Sequence, residues 1–194
     1  PEWAAAVHSF LRGRLRAEKF DGNEADSVKD ALLAFVADTQ VQALIAESLD
    51  NETFGSERQL FLLEVIERCS LKQLPDAWQT IIARRLKASQ NAANKNADAQ
   101  VRARTIAVIR SRRIATLDDE LRRIAADSAE AVDLRLTALS ALITRAPKLD
   151  SPAYQFLLET IAPERDPALR LSAAQSLGQS ELDREQLLQL AKDH

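Results

Sequence analysis

An apolar residue recurs at Val28, Phe61, Val101, Leu134 and Leu169, and each is followed by a similar pattern. Four and five residues later stand Leu32 and Leu33, Val65 and Ile66, Thr105 and Ile106, Ala138 and Leu139, Ala173 and Ala174. Eight later stand Val36, Cys69, Ile109, Leu142 and Leu177, and the intervals between echoes are 33, 40, 33 and 35 residues. Spacing of i, i+4 and i+8 is one face of an α-helix, and a helical face returning with this period is the mark of an α-solenoid. Each repeat is then a helix pair that cannot bury its stripe alone and must stack on its neighbours. The chain is therefore expected to be all-α: one right-handed α-α superhelix of about five helix pairs, forming a single domain over residues 1–194. The units fall near 24–50, 56–88, 98–127, 131–162 and 166–193, after an N-terminal helix over 3–17.

The echo belongs to the first helix of each pair, over roughly 25–37, 57–69, 99–112, 131–145 and 167–178. The second helices carry their own: Val41-Leu44-Ile45, Trp78-Ile81-Ile82, Leu121-Ile124-Ala125, Leu158-Ile161-Ala162 and Leu187-Leu190-Ala191. Before the first unit, Trp3, Val7, Phe10, Leu11 and Leu15 share one helical stripe. Helix starts have chemical markers. Ser151-Pro152 and Asp166-Pro167 set a capping side chain before a proline. Ser56 with Gln59, and Asp183 with Gln186, have capping-box spacing. Gly178 is expected to end its helix as a left-handed cap. The polar stretch 89–97 between the second and third units accounts for the long interval and reads as a surface loop, with contact to a partner as the sharper alternative.

Composition narrows the function classes. Four glycines and 46% hydrophobic residues suit packed helices, whereas 5% aromatics do not suit a large ring-lined ligand pocket. A single cysteine excludes an internal disulfide, and its place in the echo makes Cys69 a buried structural thiol. No apolar run reaches the length of a membrane span. The two histidines, His8 and His194, sit near opposite ends, and no glycine-rich phosphate loop, nucleophile elbow or metal-ligand spacing is present. The acidic run Asp118-Asp119-Glu120 falls in the first turn of a helix, where it complements the dipole. The chain is read as non-catalytic, with no cofactor and no metal of its own. It starts at Pro1 and reads as a segment of a longer protein.

Charge gives two candidate features. Lys29, Arg102, Arg135 and Arg170 each directly follow an echo residue, forming a ladder that either ties neighbouring repeats together or offers a basic stripe to an anion. From Glu18 to Glu57 there are ten acids and two bases, a net of −8, whereas from Arg84 to Arg123 there are eleven bases and four acids, a net of +7. Arg84, Arg85, Arg110, Arg112, Arg113, Arg122 and Arg123, with Lys87, are the candidate interaction surface, for a docking protein or for phosphates.

The pattern Asp98-x-x-Val101-Arg102-x-x-x-Ile106, and more fully Asp166-Pro167-x-Leu169-Arg170-x-x-Ala173-Ala174-x-x-Leu177, resembles a HEAT (armadillo-like) repeat. In that family the Asp and Arg are commonly structural; the second unit departs from it, with Leu62 in the arginine's place. More narrowly, LFLLEVIERCSLKQLPDAWQ, DAQVRARTIAVIRSRRI and LRLSAAQSLGQSELDREQLLQLA are similar to the helical repeat segment of large haem-binding proteins of planctomycetes and related bacteria. Those proteins carry a sugar-dehydrogenase-like propeller before the repeats and a c-type cytochrome domain with a CxxCH motif after them. The resemblance implies a periplasmic scaffold that joins the two domains and carries neither haem nor active site. Its partners would be neighbouring domains of the parent chain or another protein. The alternative is a nucleic-acid-binding HEAT-like protein using the Arg84–Arg123 region.

Overall fold

The computed structural model describes residues 2–17, 22–51, 53–87 and 95–193. Among these described residues are eleven α-helices: α1 (Glu2–Arg16), α2 (Gly22–Ala34), α3 (Thr39–Asp50), α4 (Ser56–Arg68), α5 (Asp76–Lys87), α6 (Lys95–Ser111), α7 (Asp118–Ala126), α8 (Val132–Ile143), α9 (Ser151–Ile161), α10 (Pro167–Gly178) and α11 (Arg184–Asp193). A 3₁₀ turn at Ala115–Leu117 leads into α7. Among the described residues there is no strand, only an isolated parallel bridge between Lys148 and Glu181. The chain is all-α. Most of the expected polar loop at 89–97 lies outside the described residues.

The helices gather into two compact units, one ending at Arg112 and one beginning at Arg113. In the first, α2 lies against α4 and α4 against α6, while α3 lies against α5, and α1 touches both α2 and α3. In the second, α8 lies against α10 and α7 against α9, with α7–α8 and α9–α10 the most extensive contacts. Within each unit, helices two places apart in the chain are thus side by side.

Most of the echo lies in the core. Val28, Phe61, Val101 and Leu134 are buried, as are Leu32, Val65, Ile66, Ile106, Ala138, Leu139 and Ala173, and all five residues at the eighth position, Cys69 among them. Thr105 joins them because its hydroxyl donates to the Val101 carbonyl, so its own polar group is satisfied inside. The first three second-helix triplets are buried too, apart from the half-buried Ala125. Trp78, fully buried, donates its indole N–H to the Gln42 carbonyl at 2.9 Å.

Departures from the expected register are local, and several have a polar cause. Ala174 is exposed and Leu169 half-buried, because α10 turns Ala173, Ser176 and Leu177 inward and Ser176 shares a hydrogen bond with Ser140 of α8. In α9 the triplet Leu158, Ile161 and Ala162 is half-buried, and Tyr154, Phe156, Leu157 and Thr160 occupy the interior. The tyrosine sets that rotation: a buried phenol needs an acceptor, and its hydroxyl donates to the Gln186 carbonyl at 2.6 Å. In α11 Leu187 and Ala191 are exposed and Gln186 is the inward residue, held by its side-chain amide on the Leu149 carbonyl. In α1, Leu11 and Leu15 are buried, but Phe10 is half exposed, under the Arg14 guanidinium.

The helix ends separate similar-looking motifs. Asp183 and Gln186 form a reciprocal capping box, each side chain accepting from the other's backbone N–H. Ser56 does not: it is the first residue of α4, behind a Gly55 cap, and Gln59 turns to the Phe54 carbonyl. Asp166 caps α10 as expected, whereas α9 is capped by Asp150 rather than Ser151. A carboxylate is a stronger acceptor than a hydroxyl, and Asp150 reaches the Ala153 N–H at 2.9 Å. Gly178 is the last helical residue of α10 and not left-handed; Gln179 closes that helix in a right-handed conformation. The one non-glycine residue with positive φ among those described is Arg113, at 52°, just past α6.

Candidate functional site

Each helix ends with backbone carbonyls that have no partner inside the helix and carry the negative end of its dipole. The ladder arginines supply the missing donors. Arg102 of α6 places Nε 3.2 Å from the Leu86 carbonyl in the last turn of α5. Arg135 of α8 does the same to Ala125 in α7 at 3.1 Å, and Arg170 of α10 to Ile161 in α9 at 3.3 Å. Each therefore closes the helix immediately before its own. Lys29 differs: its ammonium bonds Glu64 of α4 at 3.2 Å and Asp26 at 3.3 Å, and these carboxylates, Glu64 foremost, raise its pKa against the opposing effect of burial.

Two residues of the candidate basic surface have the same internal use. Arg85 donates to the Leu49 carbonyl at the end of α3, and Arg112 to the Cys69 and Leu71 carbonyls beyond α4. Arg84 pairs with Asp50, Arg122 with Asp119 and Arg123 with Glu120, each at 2.5 Å. The Glu120 contact raises the Arg123 pKa further. Arg110 and Arg113 are exposed and, like Lys87, have no partner among the described residues. Arg84, Arg85, Arg110 and Arg112 lie in the first unit, and Arg113, Arg122 and Arg123 in the second. The acidic run at 118–120 opens α7, and the Asp118 carboxylate accepts from Nε and one terminal amino group of Arg145.

A feature that the sequence does not announce lies within the second unit. α7, α8, α9 and the 146–150 segment enclose a cleft of about 330 Å³. Leu139 and Ile143 of α8 and Phe156 of α9 supply apolar lining; Arg122, Arg135, Lys148 and Asp150 supply charge. Arg135 is held at two points, through its Nε bond to Ala125 and through stacking, with its guanidinium carbon 4.0 Å from the centroid of the Phe156 ring. The wall at 146–150 is tied by the Glu181 N–H on the Pro147 carbonyl at 2.8 Å and by Gln186 on Leu149. No linear motif could mark this site, since its residues come from three helices and a connection.

Among the described residues, no three His, Cys, Asp or Glu side chains gather as a metal cage, and no helix is long and apolar enough to cross a membrane. No protein-family model, no curated protein and no solved structure matches the chain.

Proposed function

We propose that this chain is a HEAT-like α-α superhelix of about five helix pairs, serving as a non-catalytic scaffold that presents a surface to protein partners. The observation that carries the reading is the repeated arginine joint. Arg102, Arg135 and Arg170 hold equivalent places in three units, and each bonds the last turn of the helix before it. Through these bonds the same residue type joins one helix to the next. Side-by-side packing of alternate helices within each unit supports the same reading. The narrower proposal is that the scaffold links a dehydrogenase-like domain to a c-type cytochrome domain in a larger bacterial, periplasmic protein. It rests on the sequence resemblance alone.

The test is direct. Purified residues 1–194 are expected to show no visible absorbance and no sugar oxidation with an artificial electron acceptor. Turnover by this segment would overturn the reading.

A further inference from the structure

We propose that the cleft between α7, α8 and α9 binds a small carboxylic acid with an apolar body, such as a medium-chain fatty acid or an arylalkanoic acid. Its volume, about 330 Å³, falls at the small end of the range for small-molecule sites. Its lining combines the two chemistries of such a ligand, apolar side chains and a few charged groups.

Arg135 is the centre of the argument. Of the three ladder arginines it is the one that lines the cleft, and its stacking on Phe156 fixes the plane of the guanidinium before any ligand arrives. Its Nε is taken by the Ala125 carbonyl, while its two terminal amino groups have no partner among the described residues. Those two donors form a fork that matches the two oxygens of a carboxylate. Lys148, on the tied wall, is a second cation whose ammonium has no partner among the described residues. Because the fork and the wall are both held in advance, little ordering opposes binding. The apolar lining strengthens a charge contact made inside it.

Charge selects the head group. The lining holds three cations and one acid: Arg122, Arg135 and Lys148 against Asp150. Arg122 is neutralised by Asp119, and Asp150 offsets a second cation, so one positive charge remains. That balance suits a monoanionic carboxylate better than a dianionic phosphate.

The probe is sodium decanoate below its micellar range, titrated calorimetrically into residues 1–194. Decanol and inorganic phosphate serve as the uncharged and tail-less controls. Saturable decanoate binding is expected, with decanol and phosphate each at least about tenfold weaker. Arg135→Gln and Lys148→Ala should each weaken decanoate about three- to tenfold, a loss in the range of one net hydrogen bond at a partly solvated site. Arg135→Gln also removes a helix joint, so its fold is checked by circular dichroism; the exposed Lys148 keeps the test valid if that variant unfolds. Absence of decanoate binding, equal binding of decanol or phosphate, or unchanged binding by Lys148→Ala would overturn the proposal.

Discussion

An arginine in this protein acts mainly through its geometry. Arg58 on Ala17, Arg85 on Leu49, Arg112 on Cys69, Arg102 on Leu86, Arg135 on Ala125 and Arg170 on Ile161 each bring a cation to a carbonyl at or just past a helix end. A lysine could supply the charge but not the rigid fork. Arg102, with 6% of its surface exposed, is the most enclosed of the ladder. Replacing it with alanine should cost about 2–3 kcal/mol, because the Leu86 carbonyl loses a charged donor where water reaches it poorly. Arg102→Lys should restore only part of that loss; urea denaturation would measure both. Lys29 predicts a pH dependence. Its folded pKa is raised, so its contact with Glu64 contributes to stability at pH values below the ordinary lysine pKa, about 10.4, and is lost as pH rises through the folded value. The destabilisation caused by Lys29→Gln should therefore be largest near neutral pH and shrink in strong alkali. A difference that grows with pH would refute the assignment.

At the scale of one helix, periodicity locates the apolar stripe, but a polar anchor sets its final rotation. α10 shows the contrast within two residues, since Ala173 is fully buried and Ala174 exposed. Ala173→Glu should cost several kcal/mol, as a carboxylate enters a packed contact, whereas Ala174→Glu should stay within about 0.5 kcal/mol. Equal costs in thermal denaturation would show that α10 is rotated differently. The bounds of the first helix in each pair were legible in the sequence to within a few residues, because apolar stripes and turn residues act locally. The inward faces of α9 and α11 were not. They depend on Tyr154 finding the Gln186 carbonyl and on Gln186 finding Leu149, partners more than thirty residues away.

For the whole molecule, the division near Arg112 gives each unit its own core, with Trp78 and its Gln42 contact in the first and the cluster around Leu139, Tyr154, Leu157 and Leu177 in the second. Both tryptophans, Trp3 and Trp78, belong to the first unit, so their fluorescence follows that unit while far-ultraviolet circular dichroism follows both. Leu157→Ala opens a cavity in the second core and should cost about 2–5 kcal/mol. It is expected to move the dichroism transition more than the fluorescence transition; identical shifts would mean that the two cores unfold as one.

The repeat period, the all-helical class and most of the core follow from the sequence by itself, because hydrophobic spacing and helix-end chemistry are local properties. The sequence also marks the ladder arginines, since they hold one place in the repeat. Which carbonyl each of them meets is a tertiary matter, and so is the pairing of Arg84, Arg122 and Arg123 with nearby acids, which sets an acid beside each of these exposed side chains. The cleft is tertiary altogether: Arg122, Arg135, Lys148 and Phe156 share no spacing along the chain and meet only where α7, α8 and α9 pack.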